Sequence, residues 1–555
     1  MVKRRYENLG DVPNEVLNKL GNFVTNPGGR TFVLQGLPHE MHGGVLARYS
    51  RASTGLQLTL INEFLDEKGN PLKEKGTKLM DRVLNAFGDD SVGELEGVHV
   101  GIEDISQIGT KFIEDRRIGG SPIEQSTRYV KYDQKDADKR WRYLRPSEIV
   151  DLGRLSQFEN VNDRAFEVYS EGVKRLSEYF MGRIARSKFK IYVKRAGEDV
   201  EVTEDKLESS EERKEFNNAY NFTIRGAALD VGRCILPSST LTHLGVYGNG
   251  RYFANLLSFM KSEELAESRE RALELEAELN KIMPTFIKRN AANSQFSTIN
   301  EQMRRLAFDL LRGITPEDNR VTLIERAEYL DEVVSSVLFP YTNISLQQIT
   351  KAVAGWSFQQ KEKVIDVYTG KRENRRNRTG RGLEAGYPLT FDLVGGFAEY
   401  RDLERHRMLT QQRQDLTTEL GFIMPPEMEE VGLKKEIEEV VYLMDTLNSE
   451  LKHAGINQAT QYATLFNHRM RFMLGMNLRE FQHLAELRTQ PTGHFSYRSM
   501  VMEMANKVEG RYKFTKRSLG HVNYSDPDNK IARAREQSRI AGKNLASGID
   551  GSIDL

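Results

Sequence analysis

NGRYFANLLSFM, residues 249–260, and NLREFQHLAELR, residues 477–488, decide how this chain is built. Each opens on an Asn-x-Arg triplet, carries apolar residues at helical spacing and leads into a longer helical run, RERALELEAEL in the first case and YRSMVMEMANKV in the second. Upstream, IEDISQIGTKFIEDRRI at 102–118 lines up without a gap with FDLVGGFAEYRDLERHR at 391–407. The chain therefore reads as a duplicated and fused unit. Helical periodicity also dominates 261–283, 429–452 and 496–508, whereas strand patterns are sparse, at 31–37, 97–105 and 190–197. The expected fold class is α+β, two tandem units of helices around a small curved antiparallel sheet, related by a pseudo-twofold axis. RGITPEDNR at 312–320 sets Gly, Pro and Asp between two helical patterns and marks the boundary. The expected division is 1–313, with an insert at about 187–220 reading as a hairpin and a solvated acidic helix, then 314–515. Residues 516–555, rich in Asp, Asn, Gly and Ser, read as a flexible tail.

The composition narrows the function classes. Across 555 residues Lys+Arg 80 balances Asp+Glu 80, so the basic surplus of a protein devoted to nucleic acid is missing. A local phosphate site remains compatible with that balance. No apolar run approaches the ~18 residues of a membrane span, and MVKRRYENLG has no apolar stretch behind its basic residues. A cytoplasmic protein is expected. The single Cys234 allows no intrachain disulfide, and the histidines show no His-Glu-x-x-His spacing, so no metal is expected. Cys234 sits in the apolar run CILP and reads as a packed core residue.

Two segments carry chemistry. RRIGGSPIEQSTRY, 116–129, gathers Arg116, Arg117, Glu124, Ser126, Arg128 and Tyr129 around a Gly-Gly turn. Arg offers a planar fork for an anion, Ser a short hydroxyl, and Gly lets backbone N–H groups approach. A charged surface loop fits the same residues. In RHRMLTQQRQDL, from Arg405, three consecutive cationic side chains need a counter-anion or full solvation. The basic run KRENRRNRTGRG at 371–382 fits both a solvated loop and a phosphate-binding loop.

Taken together these residues resemble the flavin-dependent thymidylate synthases. RRIGGSPIEQSTRY is similar in register to that family's R-H-R-x-x-S-x-N-E-x-S-x-R-Y, with Arg117, Ile118 and Ile123 standing for its His, second Arg and Asn. GDDSVGEL at 88–95 keeps Ser91 and Glu94 of an upstream family stretch but neither of its His residues. LARYSR at 46–51 resembles the family's first helix, with Ser50 at a flavin-contacting position. GRCILPSSTLTHLGVYGNGR at 232–251 matches the segment leading to N-x-R, with Arg233, Pro237, Asn249 and Arg251 in place. In the second copy Arg-His-Arg at 405–407 is intact, and Asn477, Arg479, Arg488 and Arg498 match. Arg413, Asp415, Thr417 and Thr418 replace the family's Glu, Ser, Arg and Tyr, Gln461 stands opposite Arg233, and Met260 opposite Arg488. A family glutamine three residues before Arg-His-Arg is Ile113 in one copy and Asp402 in the other.

Each half has thus lost what the other retains, and the resemblance implies one composite site. Its substrate-binding set would be Glu124, Ser126, Arg128, Arg233, Arg405 and Arg488, with Arg488 the catalytic cation that stabilises charge on the pyrimidine. FAD would be held by Arg405, His406, Arg407, Asn477, Arg479, His483, Glu124, Ser50 and Ser91, with its phosphates against 405–407. The implied reaction converts dUMP to dTMP with methylenetetrahydrofolate, reduced FAD and NADPH. A homo-oligomer is implied, a dimer of fused pairs resembling the family tetramer. Ser126 would be a ligand hydroxyl, since no base accompanies it in the motif. A diverged paralogue that binds flavin or nucleotide without this activity, and an inactive structural subunit, remain open.

Overall fold

A three-stranded sheet in the first unit and a four-stranded sheet in the second share the order of three of their strands. The computed structural model describes residues 6–86, 90–288, 290–292, 294–370, 380–529 and 533–547. In the first repeat the elements that matter are α1 (Met41–Tyr49), β1 (Gly97–Ser106), α2 (Gln107–Glu114), β2 (Gly120–Glu124), α3 (Leu155–Arg183), β3 (Lys190–Arg195), β4 (Glu198–Thr203), α4 (Ser210–Gly232), β5 (Leu241–Asn249), α5 (Gly250–Met260) and α6 (Ala266–Ile282). In the second they are β6 (Val321–Leu323), α7 (Tyr329–Leu338), α8 (Leu346–Ala354), β7 (Leu389–Gly396), α9 (Phe397–Leu403), β8 (Thr410–Arg413), α10 (Lys434–His453), β9 (Arg469–Met476), α11 (Leu478–Arg488) and α12 (Phe495–Arg511), followed by α13 (Arg533–Ser547).

The sheets run β1-β5-β2 and β6-β7-β9-β8. Strand, helix, strand, then a distant strand followed by two helices is the shared order. The pairing registers also coincide. The 102–118/391–407 match relates positions 289 apart and the Asn249/Asn477 match positions 228 apart; under those offsets the Ser121↔Tyr247 pair becomes Thr410↔Gly475. The α+β class and the duplication are therefore present in the backbone itself.

Contacts divide the chain into two compact units, 1–104 with 109–124 and 243–297, and 105–108 with 125–242 and 298–555. This division does not follow the expected boundary at 313/314: residues 125–242 belong to the first repeat by sequence and to the second unit by contact. The reason lies in that second unit, where the repeats pair with each other. Pro237 forms a bridge with Leu465, its own counterpart 228 residues on. Flanking it, Ser238 N–H donates to the Thr464 carbonyl at 2.8 Å and Phe466 N–H to the Leu236 carbonyl at 2.9 Å. A segment paired with its own equivalent in this reciprocal way marks a local twofold axis.

In the first unit, Leu244 and Val246 of β5 are buried while Tyr247 and Ile123 on the alternate face are exposed. In the second unit β7 and β9 are almost wholly buried. Val333, Val334 and Val337 of α7 and Ile349 and Val353 of α8 share a core with Met473 of β9, and Leu346 N–H donates to Asp392 Oδ2 at 2.6 Å.

Two expectations for the first repeat and tail change. The insert does contain a hairpin, β3–β4, but the acidic stretch is not a solvated helix. It forms the opening turns of α4, where Glu212 grips Arg195 through both carboxylate oxygens and Phe216 is fully buried. The tail carries α13, which packs on this hairpin. Ser538 Oγ donates to the Lys190 carbonyl, and a Cβ at Gly542 would stand 2.7 Å from the Tyr192 carbonyl oxygen. Small residues, Ala541 and Gly542, make that contact, so no apolar stripe announces it. Of the basic run at 371–382, residues 371–379 lie outside the described residues. No helix among the described residues is long and apolar enough to cross a membrane.

Candidate functional site

The site forms in the second unit where β7 turns directly into α9. Gly395 and Gly396 allow that turn: Gly396 N–H donates to Glu399 Oε2 at 3.0 Å, and a Cβ on Gly395 would meet Met500 Cε at 2.6 Å. Helix α9 presents Arg401 and Asp402 to the interior, and the loop behind it carries residues 405–407. There the side chains alternate. Arg405 and Arg407 are exposed, with no ion pair among the described residues, whereas His406 is buried. The expected crowding of three cations on one phosphate is relieved by this alternation, and His406 does not share the face of its neighbours.

His406 turns towards α11. Its Nδ1 lies 2.9 Å from Glu480 Oε1, and Arg488 Nε donates to its Nε2 at 3.0 Å. This is only satisfied by a neutral ring with the proton on Nδ1. Burial pushes the His406 pKa down, the Arg488 and His483 charges add to that, and Glu480 opposes it. The guanidinium of Arg488 also lies over the Tyr497 ring at 5.7 Å; its two amino groups make no hydrogen bond or ion pair among the described residues. Helix α11 begins with Asn477 Oδ1 accepting from Glu480 N–H at 3.0 Å, and Asn249 caps α5 in the same way at 2.8 Å. The Asn of the repeated triplet is thus a helix cap, its Oδ1 engaged by the backbone. Arg479 is exposed and unpaired among the described residues, and His483 is exposed with its ring 5.5 Å from that of His406.

Deeper in the unit, residues of both repeats form a cation cluster that carries its own counter-ions. Arg128 Nε and Nη2 donate to the two oxygens of Asp230 at 2.8 and 3.1 Å, and Nη2 also to the Thr492 carbonyl. Arg233 reaches Asp402 at 3.4 Å and Thr127 Oγ1 at 3.5 Å, and Arg401 reaches the same Thr127 hydroxyl at 3.2 Å. Burial works to raise the Asp402 carboxyl, but Arg233, Arg128, Arg405 and Arg488 outweigh it and hold it well below the usual carboxylate range. Burial lowers the Arg233 guanidinium, with Asp402 and Asp230 opposing. His494 caps α12, donates from Nε2 to the Asp230 carbonyl at 2.9 Å, and is pushed down to about 3 by burial and by Arg233 and Arg128, against Asp230.

Arg128, expected to meet substrate, is therefore committed to Asp230. Arg498 is likewise internal, donating to the Thr489 carbonyl and to Ser525. Ser126 closes a turn by accepting from Arg128 N–H at 3.2 Å. Three expected residues belong to the first unit: Glu124, buried with Lys111 Nζ at 3.7 Å; Ser50, exposed after α1 with its hydroxyl on the Ala47 carbonyl; and Ser91, on the 3-10 turn Asp90–Glu94. Cys234 is buried, and burial raises its thiol strongly, as a core residue requires. Sequence reading overlooked the His-x-x-His spacing of His39 and His42, whose Nδ1 atoms each stand 3.6 Å from a Glu96 oxygen. It also missed Asp230, Thr127, Tyr497 and Glu480, none of which has a short-range signal.

The equivalent place in the first repeat is filled differently. His406, Glu480 and Arg488 correspond to Arg117, Tyr252 and Met260. The Gly-Gly turn expected to admit an anion makes room for a ring instead: Cβ on Gly120 would sit 2.4 Å from Tyr252, and Gly119 has a φ of +85°. Met260 is fully buried.

The profile of the thymidylate synthase complementing protein family matches residues 44–285 and 387–512, one segment in each repeat. The chain belongs to this family. Proteins similar to it over nearly their whole length are UPF0159 proteins: one from Chlamydia muridarum is 33% identical, covering 96% of this chain and 98% of its own, and one from Chlamydia pneumoniae is 32% identical over 94% and 96%. A third, from Thermoplasma acidophilum, is 29% identical over 84% and 92%. Family membership makes the chain thymidylate synthase-like in type.

Proposed function

We propose that the protein is a flavin-dependent thymidylate synthase-like methyltransferase, converting dUMP to dTMP with methylenetetrahydrofolate, NADPH and FAD. The observation that carries this reading is Arg488: its Nε is held by His406 while, among the described residues, its two amino groups and the nearby cations Arg405, Arg407 and Arg479 have no hydrogen-bond or ion-pair partner. A guanidinium fixed in this way would stabilise the N3-ionised pyrimidine whose C5 takes up the methylene, without reorganising at that moment. Arg405, Arg407 and Arg479, exposed and unpaired among the described residues, have the chemistry to hold the diphosphate of FAD. When bound and reduced, FAD supplies the reducing equivalents. Glu124, Ser50 and Ser91, residues of the first unit, are proposed as ligand contacts in their own right. A soluble cytoplasmic homo-oligomer is the associated assembly.

One observation favours a second reading, a paralogue acting on another pyrimidine. Asp230 and Asp402 already neutralise Arg128 and Arg233, so a substrate phosphate gains less there than the motif suggests. Two measurements test the first reading. The purified protein should show the visible band of oxidised flavin, and it should release the label from C5-deuterated dUMP when supplied with methylenetetrahydrofolate and NADPH. Flavin binding without label release would support the paralogue; neither would support an inactive subunit.

A further inference from the structure

The buried Glu480 and His406 and the half-buried Arg488 form one chain of hydrogen bonds whose geometry fixes a proton. We infer that Glu480 is a positioning residue, which holds the His406 proton on Nδ1 so that Nε2 can accept from and orient Arg488. The inference rests on the proposed role of Arg488. Two independent observations support it. The first is distance: 2.9 Å from Glu480 to Nδ1 and 3.0 Å from Nε2 to Arg488, with the histidine and glutamate side chains 3% and 9% exposed. The second is contrast: with Arg117, Tyr252 and Met260 at these three positions, the first repeat has no carboxylate–imidazole–guanidinium chain.

The physical logic is directional. A neutral imidazole has one donor and one acceptor nitrogen. If Glu480 takes the donor, the acceptor faces Arg488 and removes one rotational freedom from its long side chain. Without Glu480, the ring can place its proton on Nε2, where it opposes the Arg488 Nε–H, and the guanidinium swings free. The charged and titratable groups facing the ring are Glu480, Arg488 and His483 on α11, with Arg405 and Arg407 flanking it in the chain. Protonation of His406 also abolishes the acceptor, so Arg488 loses its anchor on the acid side.

The test compares Glu480→Leu with Glu480→Gln in the full-length protein. Ring-15N histidine NMR, with His406 assigned through His406→Gln, reads the tautomer whether or not the protein turns over. The expected result is an Nδ1–H ring in the wild type and in Glu480→Gln, and an Nε2–H ring in Glu480→Leu. Turnover of C5-labelled dUMP should fall in Glu480→Leu by roughly tenfold to a hundredfold in kcat, as for carboxylates that orient metal-binding imidazoles, and recover in Glu480→Gln. Because Gln lacks the charge that favours imidazolium, the acid limb of its kcat profile should move to lower pH. An Nε2–H or doubly protonated ring in neutral wild-type protein overturns the inference, as does an unchanged tautomer in Glu480→Leu. A wild-type protein with the Nδ1–H ring but no label release would instead count against the proposed function and leave the relay standing.

Discussion

The two repeats place the same strand, turn and capped helix around very different interiors. In the second, a buried histidine links a carboxylate to an arginine; in the first, a tyrosine ring fills the space over two glycines and a methionine ends the helix. The registers and caps are the same, so backbone architecture does not determine which interior is present. What distinguishes a site from a plug here is whether polar groups find partners away from water, and whether one donor is left over.

The sharpest contrast lies just outside the pair. Arg128 is held in a two-pronged pair with Asp230, whereas its counterpart in the second repeat is Thr417, which closes a local turn. Arg128→Ala takes the paired guanidinium from the largely buried Asp230 carboxylate and should cost about 3–5 kcal/mol in urea unfolding; Thr417→Ala should stay within about 0.5 kcal/mol. A folded, fully stable Arg128→Ala protein would return that residue to the substrate. Next comes Arg488 against Met260. Arg488→Ala should lower label release by about a hundredfold to a thousandfold, about 3–4 kcal/mol, with a smaller cost in unfolding, about 1 kcal/mol, for the donor lost to His406 Nε2. Met260→Ala should do the reverse, at roughly 2–3 kcal/mol of stability. Equal kinetic losses in both would erase the asymmetry of the repeats.

A smaller effect is set by pH. His494 has a native pKa of about 3 against 6.5 for the free side chain. Between those values the unfolded chain binds the extra proton, so stability rises with pH, is complete above about 6.5, and falls as acid is added. From pH 7 to pH 5 the loss from this residue should be about 2 kcal/mol. The first repeat has Ala266 at the counterpart position and no such dependence. Wild type and His494→Gln, unfolded in urea at both pH values, should therefore converge on acidification; parallel losses would deny His494 the role. The smallest expectation concerns what the repeats share. Asn249→Ala and Asn477→Ala should each cost about 1 kcal/mol as lost caps, and unequal costs would show that one cap carries more than its helix.

The duplication was legible because both copies keep Asn-x-Arg and an ungapped strand-helix match. Arg488 stood out for the opposite reason, as a difference between matched positions. Its partners did not. Glu480 lies 74 positions from His406, and Asp230 lies 102 from Arg128, separations at which no periodic pattern operates. The alternation of Arg405, His406 and Arg407 was hidden too, since three adjacent cationic residues look alike until a neighbouring helix decides which one turns inward. Helix α13 escaped notice because it docks with Ala541 and Gly542, residues that carry almost no hydrophobic signal.

The bridge between Pro237 and Leu465 bears on how this molecule responds to change. In a dimer of identical chains, a substitution beside the axis is always made in duplicate, and each new side chain meets a copy of itself. Here the two sides of the axis are separate codons. A bulky or charged replacement at 237 meets only the residue at 465, and its harm can be answered by one complementary change there. Proline itself illustrates the freedom: it occupies one side of the seam while leucine occupies the other, an arrangement closed to a pair of identical strands.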